Sequence, residues 1–188
     1  FNPEKARALL AQAGFPGGKG FPRLELMTTS REVQKTMAEA IQGMWKRHLG
    51  VHVDIRSCEW TAYKFAQNSM QYDFSSSSWS GDYLDPSSFL DLWSSASGNN
   101  NTGWSRPEYE RLLAESRATG DQEKRMALLA RAEALMLSES PVIPLYWARR
   151  SYLKSPEVRG WHPLLLDNHL FEDISLGAPR EQGKEAAP

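Results

Sequence analysis

The chain has 188 residues, enough for one domain and a remainder at ~150 residues per domain. Lys+Arg 22 against Asp+Glu 23 leaves a net charge of -1, so no overall basic field draws it to nucleic acid or an acidic membrane. A single Cys excludes an intrachain disulfide and a cysteine metal cluster, 40% hydrophobic content excludes a disordered chain, and no apolar run approaches the ~20 residues of a membrane span.

The chain opens Phe1-Asn2-Pro3-Glu4, with no Met and no signal peptide. Asn2 before Pro3 has the form of a helix cap and first turn, and the expectation is a piece of something longer. Ala6, Leu9, Leu10 and Ala13 continue the helix until Gly14 stops it. Residues 14–20 are a Gly-rich loop, and Leu24 and Leu26 mark a short strand. Val33, Met37, Ile41, Met44, Trp45 and Leu49 then repeat every three or four residues, the clearest amphipathic helix in the chain, with Gly50 at its end. Val51, Val53 and Ile55 alternate with polar residues as a half-buried strand. A helix over 61–71 precedes a Ser-rich strand from Tyr72 to Trp79. Asp85-Pro86 opens a helix through Leu92, Ser94 to Gly103 is a polar loop, and two helices follow from Ser105 and Asp121. Pro141 to Leu153 reads as extended. This order means α/β, with connections long enough for crossovers between parallel strands.

Several chemical motifs fail on spacing. A phosphate loop needs a Gly-Lys-Ser/Thr end between a strand and a helix, but Gly18-Lys19 runs into Gly20 and the order is helix then strand. The four His (His48, His52, His162, His169) form no metal-ligand pattern with Cys58, so no metal and no cofactor is expected. Ser75 to Ser78 lack a nucleophile elbow, so an enzyme is not expected. Asn100-Asn101-Thr102 is formally a glycosylation sequon and reads as a polar loop.

Trp79-Ser80-Gly81-Asp82-Tyr83-Leu84-Asp85-Pro86 is more informative. It lies between an expected strand and an expected helix, where α/β sheets hold ligands. Two aromatic rings, a Gly that permits close backbone approach and a carboxylate suit an organic ammonium. Asp85 reads as a helix cap. Asp82 lies three residues too early for that, and reads equally as a ligand carboxylate or a loop hydrogen-bond acceptor. Seven Trp allow an aromatic-walled pocket beside the core.

At this segment the sequence resembles the C-terminal part of the solute-binding proteins of peptide ABC transporters, the oligopeptide and dipeptide binding proteins of family 5. The matching pieces run in order. They are Asn2 to Ala6 with Leu9 to Pro16, Leu49-Gly50-Val51, Tyr72-Asp73-Phe74 and Trp79 to Pro86. Asn100 to Ser105, Ala132-Glu133, Pro141 to Tyr146 and Leu166 to His169 complete the set.

The resemblance implies a periplasmic-binding-protein-like (type II) lobe with a mixed sheet flanked by helices. Residues 1–140 would be the second lobe, 141–176 an extended segment returning toward a missing first lobe, and 177–188 a disordered tail. It implies a protein that performs no chemistry, captures peptides and delivers them to an ABC importer permease. Asp82 inherits the pairing with the peptide α-ammonium. Ser78, Ser80 and Gly81 would pair with the extended peptide backbone, and Trp79, Tyr83 and Trp147 would form walls. Some oligopeptide-binding members carry an Arg three positions before that Trp; here Ser76 stands there, which leaves ligand length open. The implied location is periplasmic or extracellular, with lipid anchoring through the absent N-terminus one form of it. Alternatives are the same scaffold holding a nickel chelate, a sugar or haem, or a hydrolase.

Overall fold

The computed structural model describes residues 1–149, 151–164 and 166–177. These form two compact units. Unit 1 takes Phe1–Trp79 and Leu92–Arg106; unit 2 takes Ser80–Asp91 and the described residues from Pro107 on. The expected tail lies outside the described residues, apart from Gly177.

In unit 1, helix α1 (Pro3–Gln12) begins as its sequence demands. Asn2 Oδ1 accepts the Lys5 backbone N–H at 2.9 Å, and Pro3 fills the first turn. After a tight turn at Pro16–Gly18 come β1 (Leu24–Thr29), α2 (Glu32–Leu49), β2 (Val53–Cys58), α3 (Trp60–Asn68) and β3 (Phe74–Ser75). The strands pair in the order β2-β1-β3, parallel throughout, with Leu24 opposite Val53 and Leu26 opposite Phe74. Alternation along β1 divides the core. Leu26 packs with Ala38, Ile41, Val51 and Val53 on the α2 side, and Met27 packs with Tyr63 and Ala66 on the α3 side. Each buried Leu, Ile, Val or Met among them contributes about 1.5–3 kcal/mol by leaving water.

The Gly-rich loop has a structural occupation. Gly14, Gly17, Gly18 and Gly20 all take positive φ. A Cβ on Gly18 would overlap the Gly50 carbonyl, and one on Gly50 would overlap the Gly17 carbonyl. The two backbones therefore meet with no room for side chains.

The Ser-rich strand is shorter than the sequence suggests. It ends at Ser75, with one further bond from the Ser76 N–H to Met27 O at 2.9 Å. Pairing with β3 ends there, while β1 stays paired with β2 as far as Thr29 on its other edge. The loop at 92–106 is organised by Asn100. Its Nδ2 donates to the carbonyls of Trp93, Ser94 and Trp104, while Oδ1 accepts the Thr102 N–H and hydroxyl. The sequon asparagine is thus a loop fastener.

In unit 2, α4 (Ser87–Leu90) is a single short helix, with α5 (Pro107–Ala118) and α6 (Gln122–Glu139) as a hairpin behind it in sequence. Asp121 Oδ1 caps α6 by accepting the Lys124 N–H at 3.1 Å. Tyr109, Leu112, Leu113 and Ser116 of α5 and Leu128, Leu129, Ala132 and Met136 of α6 are buried. Residues 141–149 form no helix or strand. Farther on, β4 (Val158–Arg159) pairs antiparallel with β5 (Ser175–Leu176). Among the described residues no helix is long and apolar enough to cross a membrane.

Candidate functional site

The residues singled out from the sequence fall in both units. Ser78 and Trp79 end the first stretch of unit 1, beyond the last ladder bond of β3, and both are exposed. Ser80, Gly81, Asp82, Tyr83 and Trp147 belong to unit 2.

Asp82 is exposed, and its carboxylate has no hydrogen bond or ion pair among the described residues. Its loop contact is made by the main chain instead, whose N–H donates to Ser88 Oγ at 2.7 Å. The carboxylate is therefore not consumed by its own loop. Gly81 lies against Phe89: an added Cβ would sit 3.1 Å from that ring. The same ring meets Trp147 edge-on, centroids 6.3 Å apart and planes at 79°. Phe89 thus brings Gly81 and Trp147 into one neighbourhood, although Trp147 is itself 85% exposed. Phe89 falls inside the helix expected from Asp85-Pro86 through Leu92 and carries no signal of its own there.

The N-cap of α4 is Pro86, one residue later than expected, and Asp85 Oδ1 instead closes a local turn by accepting the Ser87 N–H at 2.9 Å and the Ser87 hydroxyl at 2.6 Å. The Asp85 carboxylate also takes the Arg125 guanidinium in a two-pronged pair, Nη1 to Oδ2 and Nη2 to Oδ1, each 2.7 Å. The Arg125 fork, with help from Ser87 and against partial burial, holds the Asp85 carboxyl far below the usual carboxylate range. Ser87 Oγ lies 3.2 Å from the Tyr83 hydroxyl, which fixes that ring's polar end.

Two further features escaped the sequence reading. Tyr109, wholly buried, donates its hydroxyl to Leu90 O at 2.6 Å and so ties α4 to α5. Burial, with Asp91 nearby, pushes the Tyr109 phenol well above its ordinary range. In unit 1, the buried hydroxyls of Thr28 and Thr29 and the Gln34 Oε1 have no hydrogen-bond partner among the described residues. They lie at the carboxyl end of β1 and the start of α2, the position from which parallel sheets address polar ligands.

The family model for bacterial extracellular solute-binding proteins, family 5 Middle, matches residues 1–101. The oligopeptide-binding protein OppA of Bacillus subtilis (strain 168) is 34% identical over 152 residues, 80% of this chain and 28% of that protein. The probable deoxycholate-binding periplasmic protein YgiS of Escherichia coli (strain K12) is 34% identical over 156 residues, 83% of this chain and 29% of that protein. The crystal structure of a periplasmic oligopeptide-binding protein from Borrelia burgdorferi, OppAIV, superposes with a TM-score of 0.85 at 33% identity, over 94% of this chain and 36% of that one. The chain thus spans less than a third of the length of these two curated relatives. The expected α/β, periplasmic-binding-protein-like class is borne out, but among the described residues the two pairing senses lie in separate sheets rather than one mixed sheet: β2-β1-β3 is parallel and β4-β5 antiparallel. This chain belongs to the bacterial extracellular solute-binding proteins of family 5.

Proposed function

We propose that the full-length protein captures peptides outside the cytoplasm and delivers them to the permease of an ABC importer, without chemical turnover. Asp82 is its anchor for the peptide α-ammonium. The observation that carries this reading is the Asp82 carboxylate itself, exposed and without a side-chain partner among the described residues. Relatives named as oligopeptide-binding support the ligand class. In this reading Trp79, Tyr83 and Trp147 wall the ligand, and Ser78, Ser80 and Gly81 meet its backbone. Residues 1–140 serve as the second lobe, and 141–176 return toward a first lobe. The protein works in the periplasm or at the cell exterior, and lipid anchoring is one form that location takes.

Calorimetry on the full-length protein tests the anchor. Removing one member of a buried charge pair costs about 3–5 kcal/mol, so Asp82→Asn should weaken free-amine peptides roughly 10²–10⁴-fold. N-acetylated peptides should already bind poorly and lose little more. Equal affinity of wild type and Asp82→Asn for free-amine peptides refutes the assignment.

A second reading places a non-peptide solute on the same scaffold. The observation in its favour is the YgiS match, as high in identity as the OppA match. Native mass spectrometry of the purified full-length protein separates the two, because only the first expects co-purifying peptides.

A further inference from the structure

An exposed loop holds a carboxylate poorly unless something limits its backbone and rotamer freedom. The Asp82 loop is tied down by a run of hydrogen bonds that ends on one side chain of α6. The Asp82 N–H donates to Ser88 Oγ at 2.7 Å, and the Tyr83 hydroxyl lies 3.2 Å from Ser87 Oγ. Ser87 and Ser88 are both buried and adjacent on α4. Ser87 donates its N–H and its hydroxyl to Asp85 Oδ1, and both Asp85 oxygens receive the Arg125 fork. The backbone adds two turns of its own, Asp85 N–H to Tyr83 O at 2.9 Å and Ser88 N–H to Asp85 O at 3.0 Å.

Arg125 stands one turn into α6, an 18-residue helix whose next positions bury Leu128 and Leu129. It is therefore attached to a rigid body. Helix α4, at 4 residues, is too short to hold its own shape in water. Its geometry has to come from its neighbours, and the two-pronged charge pair is an orienting contact that a flexible ammonium cannot copy.

We propose that Arg125 is a positioning residue for ligand capture: acting through Asp85 and the Ser87-Ser88 pair, it holds Asp82 and Tyr83 at one fixed place. This rests on the reading of Asp82 as the ammonium anchor. Arg125 touches no ligand itself. It sets where the anchor stands, so its loss costs selectivity for the ammonium and not only stability.

The test uses the full-length protein and a pooled synthetic library of tri- to pentapeptides, one half with free N-termini and one half acetylated. Retained peptides are read by mass spectrometry as the ratio of free to acetylated. Wild type should show a strong excess of free-amine peptides. Arg125→Met should lower that ratio about tenfold or more, the size expected of coupling inside one hydrogen-bonded network. Arg125→Lys should fall between the two, because it keeps the charge and loses the fork. Gly50→Ala serves as the stability control: it crowds the Gly17 carbonyl in unit 1, touches no residue of this run and should leave the ratio unchanged. A wild-type ratio in folded Arg125→Met overturns the proposal, and if that variant does not fold, a wild-type ratio in Arg125→Lys does so. A wild type that retains no excess of free-amine peptides overturns the Asp82 reading first, and this inference with it.

Discussion

Gly50→Ala tests how the loop that imitates a phosphate site is built. Gly50 closes α2 at φ 69 and ψ 13, the left-handed region. A residue with a Cβ costs about 1–2 kcal/mol there. Stiffening the unfolded chain returns about 0.4–1 kcal/mol. The larger penalty is steric. The new methyl would overlap the Gly17 carbonyl oxygen and stand 3.1 Å from Gly17 C. These are main-chain atoms of the turn at 16–18, which cannot rotate aside as a side chain would. Overfilling of this kind typically costs about 1–3 kcal/mol. The net loss should be about 2–4 kcal/mol. Two other glycines isolate the causes. Gly20 also has positive φ, at 77, but nothing lies within 4 Å of its added Cβ, so Gly20→Ala should cost about 1 kcal/mol or less. Gly43 lies inside α2 with open space around it and should gain about 0.5–1 kcal/mol from Ala. Urea unfolding of the full-length protein, followed by far-ultraviolet circular dichroism, measures all three. If Gly50→Ala costs no more than Gly20→Ala, the close approach of the two backbones is not what the glycines are for.

The remaining predictions concern unit 2 and the anchor. Tyr109→Phe strands the Leu90 carbonyl in the interior and should destabilise by about 1–3 kcal/mol in the same unfolding experiment, whereas an exposed-tyrosine control such as Tyr146→Phe should change little. The Asp85 carboxyl titrates lower in the folded protein than in the unfolded chain, so its stabilisation is fully present above the unfolded value of about 3.9 and is lost as pH falls below it. The melting temperature of Asp85→Asn should therefore lie below wild type at pH 7, and the gap should narrow steadily below about pH 4. A gap independent of pH would mean the ionised pair with Arg125 is not its source. For the anchor, replacing Asp82 with Asn should abolish the preference for free-amine over acetylated peptides while leaving the unfolding curve nearly unchanged, since its carboxylate has no side-chain partner among the described residues to lose.

What the sequence made legible is local. Asn2 before Pro3, the stripe from Val33 to Leu49, and Gly50 after it each encode their element within a turn or two of chain, and α1 and α2 stand where those signals put them. The β1 and β2 alternation is equally local and equally clear. What failed depended on partners distant in sequence. Four serines before Trp79 have no feature that ends a strand after Phe74-Ser75. The pairing stops at Ser75 opposite Met27, a register set by a strand 48 positions earlier in the chain. Arg125 carries no signal in the sequence, since nothing in its surroundings advertises a carboxylate 40 positions earlier. Phe89 was legible as apolar, but not as the ring that Gly81 and Trp147 share. For Asp82 the sequence offered two equal readings, and only the neighbouring N–H to Ser88 Oγ shows how the loop is tied without its carboxylate.

The segment Ser80–Asp91 belongs to unit 2 although unit 1 residues flank it on both sides in the chain. That has a consequence during synthesis. When this segment is synthesised, neither Tyr109 nor Arg125 has yet been added to the chain. Arg125 follows Asp85 by 40 residues, which at ~5–20 residues per second is a delay of about 2–8 s. Through that interval the segment has no counter-charge and no packed helix to fold against. No single cut in the gene separates the two units cleanly either, because the chain passes between them after Trp79, Asp91 and Arg106. A nascent chain arrested before α6 would carry Asp82 on a loop held only by its own short-range bonds, without the Arg125 fork.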